Sequence, residues 1–325
     1  MLDLRFCELG ITLEGSPLEM MVALLSRDLE RRGLSFRPHV WLSNEWFSPI
    51  DVPGFALPFY LAHPRLRQLE RRQMLEVEGG TRRECRRILR HECGHALSHA
   101  YGLHRRRRFR ELFGRSGQAY PEAYAPDPTS RDFVQHLRAY YAQSHPDEDF
   151  AETFAVWMQP RHVWRKRYAD WPALRKLEYV DALMGEIATQ PPKLRTRRRV
   201  DPISSSRKTL REHYEERREA YPPQAGTLYD RHLRQLFGPD PIPGTGRAAS
   251  SFLRAHRADI RSQVARWTGE YQAALDQVLE DMIRRCRELK LRAVGDEDEL
   301  RNDCAVMLTV NVMHFLYNKK QWHAL

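Results

Sequence analysis

Hydrophobic residues recur along this chain mostly at helical spacing, with two short stretches that read as strand. Pro17 to Arg32 carries apolar residues on one face and charge on the other, and it stops at Gly33, a residue suited to a left-handed C-cap. His39 to Leu42 and Phe55 to Leu61 read as strands. Pro58 lies inside the second, and proline cannot donate to a sheet ladder, so the pattern predicts an edge strand there. Extended peptide could then add to it by strand pairing. Pro64 to Val77 is predicted as a helix ending before Gly79 and Gly80.

The best-punctuated element follows. Thr81 and Glu84 form a capping-box pattern, so a helix should begin there and run to Tyr101, with Gly102 as its stop. Ser130 to Tyr141 and Pro146 to Met158 are predicted as two more helices. His145 separates them, because a residue before proline is biased out of the helical region. Trp171 to Ala188 continues the helical pattern. Pro191-Pro192 and the basic run Lys193 to Arg199 mark a composition break, giving an expected domain of residues 1–200 and a helical one of 201–325. In the latter, Ile260, Val264, Trp267, Tyr271, Ala274, Val278 and Met282 form a single helical stripe suited to packing. Pro239 to Gly246 reads as a loop, and Ala305 to Tyr317 as a buried helix too short and too polar to span a bilayer.

Composition changes this picture little. The chain has 325 residues, 42% hydrophobic and 30% charged, which is the profile of a folded soluble protein. A formal net charge of +10 favours acidic partners in general. The five cysteines form no CxxC pair, which argues against a disulfide framework or a four-cysteine zinc site and fits a cytoplasmic setting. The opening segment has Asp3 and Glu8 where a secretory signal would need an apolar run, so neither targeting nor membrane insertion is expected.

The predicted helix over residues 81–101 carries His91-Glu92-Cys93-Gly94-His95, an HExxH motif. Positions four apart share a helix face, about 6 Å apart along the axis. Two imidazoles so placed can bind one Zn²⁺, with Glu92 beside them to take a proton from zinc-bound water. Gly94 would allow close approach of a neighbouring element. A catalytic zinc needs a third protein ligand. His99 lies about 12 Å along the axis from His91, too far to share the ion. The longer HExxHxxGxxH pattern is excluded because Tyr101 occupies its last histidine position. Glu148 and Glu152, one turn apart on the predicted helix from Pro146, are the better suppliers. One could ligate while the other orients a ligating histidine. Spacing alone does not choose between them, and an acidic first turn complementing the helix dipole would look the same.

The segment Tyr141-Ala-Gln-Ser-His-Pro-Asp-Glu-Asp-Phe-Ala-Glu-Thr-Phe-Ala-Val-Trp157 resembles the glutamate-ligand helix of gluzincin proteases, including those similar to anthrax lethal factor. It resembles more closely a bacterial family of zinc-binding metallopeptidases, as does the stretch from Leu112-Phe113-Gly114 through Tyr120 and Tyr124. In that pattern a tyrosine lies seven positions before the ligand glutamate and an acidic residue four after it; Tyr141, Glu148 and Glu152 occupy these positions. The resemblance covers roughly residues 80–180 and departs from members carrying an N-terminal zinc ribbon, since paired cysteines are missing here. It implies an α+β zincin-like domain with a small sheet. It also implies that His91, His95 and Glu148 ligate Zn²⁺, Glu92 is the base, Tyr141 donates to the oxyanion, and Glu152 stands behind the ligands. The substrate expected is a peptide or related amide.

Two basic runs remain, His104 to Arg110 and Lys193 to Arg199. They could hold acidic substrate groups, including a peptide C-terminal carboxylate, or be solvated surface. A non-catalytic zinc protein that binds nucleic acid or a protein partner is the alternative. No recognisable nucleic-acid module accompanies the runs, and nucleic acid is not expected as a partner.

Overall fold

The computed structural model describes residues 1–121, 124, 126–138, 140–219, 229–238 and 246–319, with the backbone alone at 219 and 314–319. The chain forms two compact units. The first comprises Met1–Glu70 and Val77–Leu210; the second comprises Arg71–Glu76 and Arg211–Lys320.

In the first unit, helix α1 (Pro17–Arg31) ends as its pattern indicates, with Gly33 at φ +77°. Strands β1 (His39–Ser43) and β2 (Gly54–Pro58) pair in parallel, His39 opposite Gly54 and Ser43 opposite Pro58. The second strand is shorter than its apolar run, because Phe59–Ala62 turns into a 3₁₀ helix directly after Pro58. It is also no free edge. Every residue of β2 is buried, and the Ala56 N–H donates to the Phe47 carbonyl at 2.8 Å, so the connecting loop covers the side away from β1. Backbone already paired in this way cannot accept an added strand, and the expected peptide-pairing edge is corrected accordingly.

Helix α2 (Pro64–Met74) precedes α3 (Arg82–Tyr101), the central element. On one side α3 meets α1, where buried Asp28 takes both Arg86 and Arg90 at 2.8 Å. Burial lifts the Asp28 carboxyl, but the two guanidinium groups outweigh it and hold its pKa below the usual value. On its other flank α3 packs against α5 (Pro146–Trp157), after the short α4 (Arg107–Leu112). Helices α6 (Arg161–Arg167) and α7 (Leu174–Ile187) back α5.

No α-helix forms among the described residues of 130–141, which leave out residue 139. This overturns the expected helix. The segment's polar groups are committed elsewhere: Leu137 N–H to Glu152, Gln135 N–H to the Tyr168 hydroxyl, and the Asp132 carbonyl to Lys176. Backbone groups satisfied by tertiary partners have no need of intrahelical bonds.

The second unit is helical. It contains α8 (Leu210–Glu219) from Arg211 onward, α9 (Asp230–Leu236), α10 (Ala249–Thr268), α11 (Gln272–Glu288) and α12 (Glu297–Lys319). A two-residue antiparallel pair, β3 (Arg247–Ala248) with β4 (Arg292–Ala293), completes it. The stripe predicted from Ile260 to Met282 is broken, since Gly269 at φ +75° ends α10. Trp267 is consequently 75% exposed, and the buried face of α11 is set by Ala273, Leu275, Leu279, Met282 and Ile283. Of the loop expected at 239–246, residues 239–245 lie outside the described residues. All five cysteines are free thiols. Among the described residues no helix is long and apolar enough to cross a membrane. Mixed structure dominated by helix, with a small sheet, is compatible with the α+β expectation.

Candidate active site

The Thr81 hydroxyl accepts the Glu84 N–H at 3.2 Å and starts α3; Gly102, left-handed at φ +63°, stops it. From about three turns past the cap, His91, Glu92 and His95 point into the unit and are all buried. The facing helix α5 begins with His145 extended at its N-cap and Pro146 in the first turn, as expected for a residue preceding proline. Its residues Glu148, Asp149 and Glu152 are 4%, 1% and 0% exposed. Glu152 is therefore no solvated carboxylate. The helices approach closely because residue 94 is glycine: a Cβ there would lie 2.9 Å from the Ala151 Cα.

This approach brings three donor atoms together. His91 Nε2 lies 2.9 Å from Glu148 Oε2, His95 Nε2 lies 3.1 Å from the same oxygen, and the two Nε2 atoms are 3.1 Å apart. His91 Nδ1 is 2.9 Å from Glu152 Oε1, and the second Glu152 oxygen accepts the Leu137 N–H at 2.7 Å. With Nδ1 donating to Glu152, the neutral His91 ring turns the lone pair of Nε2 toward the Glu148 oxygen. Three electron-rich atoms around one point repel unless a cation or proton sits among them. Protons do not satisfy all three contacts, since two N–H groups cannot face each other across 3.1 Å. A tetrahedral zinc with bonds of about 2.0–2.1 Å separates its ligand atoms by about 3.3 Å. The triangle is a few tenths of an ångström tighter, and two imidazoles with one carboxylate are a donor set that zinc takes. The residues fit the ion.

The electrostatics agree. Burial depresses the His91 imidazole, yet hydrogen bonds and charge from Glu148 and Glu152 more than reverse this and place it well above 6.5. His95 is likewise raised, burial being outweighed by Glu148. Burial pushes the Glu148 carboxyl up, but His95 and His91 hold it well below the carboxylate range. This is a pocket that draws positive charge to the nitrogens and keeps the oxygen anionic.

Glu92 lies outside the triangle. Burial raises its pKa against the opposing pull of His91 and His95, and its Oε2 has no hydrogen-bond partner among the described residues. The Tyr141 ring, in a 3₁₀ turn before α5, has its centroid 5.6 Å from that of His91. Burial and then the Glu148 charge raise the phenol well above 10, so it remains a neutral donor. His99 is not part of the cluster; its Nδ1 accepts the Asp51 N–H at 3.4 Å, and burial holds its pKa down to about 4.

Sequence reasoning assigned no contact to three features here. Tyr120 donates to Glu148 Oε1 at 2.8 Å while stacking on His145 at 3.8 Å. The Leu137 N–H fixes Glu152 from a segment misread as helix. Lys176 on α7 reaches Asp149 at 2.6 Å, and burial lifts that carboxyl to about 7 against the lysine's pull. Periodicity carries no signal for any of these, because each joins elements distant in the chain.

Residues 62–169, about a third of the chain, match a family model described as "Putative zinc-binding metallo-peptidase". The matched span includes α3, α5 and all the residues of the cluster. No curated protein and no solved structure matches the chain.

Proposed function

We propose that this chain is a zinc-dependent metallopeptidase of the gluzincin arrangement, in which His91, His95 and Glu148 hold the ion. Its catalytic domain would be residues 1–200, with the helical residues 201–325 as a separate domain. When bound there, zinc lowers the pKa of water and polarises a carbonyl. The observation that carries the reading is the triangle of lone-pair donors beside a buried carboxylate with an unpartnered oxygen.

The protein's own groups have distinct tasks. Glu152 holds His91 in the tautomer that presents Nε2, and Tyr120 holds the far oxygen of Glu148, leaving the near one for the ion. Glu92 Oε2 takes a proton from the attacking water. As the water oxygen bonds to the carbonyl carbon and the C–N bond breaks, Glu92 delivers that proton to the leaving nitrogen. A base raised by burial suits both halves of this transfer. Tyr141 donates to the oxygen on which negative charge develops, an interaction that acts mainly in the transition state.

The test is zinc quantification with a peptide-library digest, comparing the wild-type chain and Glu92→Gln. Stoichiometric zinc in both, with hydrolysis reduced about 10²–10⁴-fold in the variant, is the expected result. Equal hydrolysis by the two proteins would remove Glu92 from the chemistry.

A further inference from the structure

A cavity of about 590 Å³ has walls that include His104, Arg105, Arg110, Arg115, Ser116 and Gln118. We propose that it is a carboxylate-holding subsite for the substrate that reaches the metal cluster. The preferred substrate would be a peptide with an acidic side chain or a free C-terminus near the scissile bond. The proposal rests on the peptidase reading above.

The arginines of this region divide into two groups. Arg106 is neutralised by Glu186, with contacts of 2.6 and 2.8 Å, and Arg107 and Arg108 share Glu111 at 2.8 and 3.0 Å. None of these three lines the cavity. Of those that do, Arg105 meets a carboxylate only at 3.5 Å, from Asp51. Arg110 and Arg115 form no ion pair among the described residues. The closely paired arginines thus lie outside the cavity, while Arg110 and Arg115, with the more loosely paired Arg105, line it. One further group on its walls is unsatisfied: Ser116 Oγ is buried without a hydrogen-bond partner among the described residues, whereas His104 accepts from Arg105 Nε at 3.3 Å and is hydrogen-bonded to the Ser98 backbone. Unpaired guanidinium forks and an idle hydroxyl together match a carboxylate, which accepts several hydrogen bonds at once.

Two routes tie the cavity to the cluster. The Gln118 carbonyl accepts His145 Nε2 at 3.1 Å, and His145 stacks on Tyr120, the phenol that holds Glu148. On the other wall the His104 ring lies 5.5 Å from that of His99, one turn beyond His95 on α3. Both walls of the cavity are thus connected to the elements that carry the metal ligands. Its volume falls within the range of about 300–1,000 Å³ usual for small-ligand pockets.

The experiment reads binding on the full-length Glu92→Gln chain loaded with zinc, so that cleavage does not intervene. The probes are labelled nonapeptides of alanine and glycine carrying one glutamate at successive positions, or none, each with a free or an amidated C-terminus. One glutamate position, or the free C-terminus, should bind about tenfold more tightly than its glutamine or amide counterpart. Which of the two does so identifies the source of the carboxylate. The preference should fall to within about twofold in Arg110→Ala/Arg115→Ala and persist in Arg107→Ala, whose arginine pairs with Glu111 and does not line the cavity. Equal binding of acidic and neutral probes, or a preference that survives the double substitution, overturns the subsite. The two readings fail separately. Acid-selective binding without zinc-dependent cleavage by the wild-type chain leaves the subsite and removes the peptidase. Cleavage that depends on Glu92 but ignores acidity does the reverse.

Discussion

The helix pair α3–α5 in the first unit and the pair α10–α11 in the second are built on opposite principles. Between α10 and α11 the buried residues are overwhelmingly apolar: Ile260, Val264, Leu275, Leu279, Met282 and Ile283. Polar groups stay toward the surface, where Arg257 and Arg261 hold Asp276 at 2.6 and 2.7 Å. Between α3 and α5 the buried set includes His91, Glu92, His95, Glu148, Asp149, Glu152 and Thr153. Burying charge without partners is costly. A helix pair designed only for stability would replace these residues with leucine and isoleucine. Their presence identifies α3–α5 as the place where stability yields to chemistry.

That contrast can be broken at five points, beginning with outright loss of the metal and ending with the smallest shift in stability. Glu148→Ala should abolish stoichiometric zinc, measured by metal analysis of the purified protein. Glu152→Ala should retain zinc at saturation with affinity lower by about 10–100-fold, the usual effect of losing a partner of a ligating histidine. The opposite pattern would exchange the roles of the two glutamates. Tyr141→Phe should keep zinc and lower turnover by about 10²–10³-fold, the cost of one oxyanion donor; unchanged kcat would free the phenol from that role. Leu279→Ala, at a fully buried apolar position, should destabilise the second unit by about 2–5 kcal/mol in denaturant unfolding without altering zinc stoichiometry. Loss of zinc in that variant would mean the two helix pairs are not independent. Thr81→Ala removes the α3 cap and should cost about 1 kcal/mol, readable as a small shift of the unfolding midpoint.

The same contrast governs what could be read from the sequence. Helix α3 was legible because its signals are local: a cap at Thr81, a stop at Gly102, and histidines four apart. Helix α5 was legible from His145-Pro146 at its start. Which glutamate faces the histidines was not, since Glu148 and Glu152 share a helix face and differ only in what stands opposite. The resemblance to zinc metallopeptidases distinguished them, and the structure now places Glu148 Oε2 between the two Nε2 atoms and Glu152 behind His91. Residues 130–141 misled because their apolar spacing suits a helix, whereas their N–H and C=O groups are taken by Glu152, Tyr168 and Lys176. Such capture depends on side chains up to 44 positions away, which no window of sequence contains. The stripe through Trp267 failed for a simpler reason: the apolar rhythm continues across Gly269, but the backbone does not.

The hydrogen atom at position 94 sets a mechanical tolerance for the whole centre. A single methyl group there would meet the Ala151 Cα at 2.9 Å, inside ordinary contact, so the two helix axes would have to part or one would have to slide. His95 follows immediately on one helix, and Glu148 sits one turn before Ala151 on the other. A wedge at this point would therefore widen the very gap that the donor atoms span. The distance across which a metal can be gripped is thus established in the backbone, by an absent side chain, before any ligand is chosen.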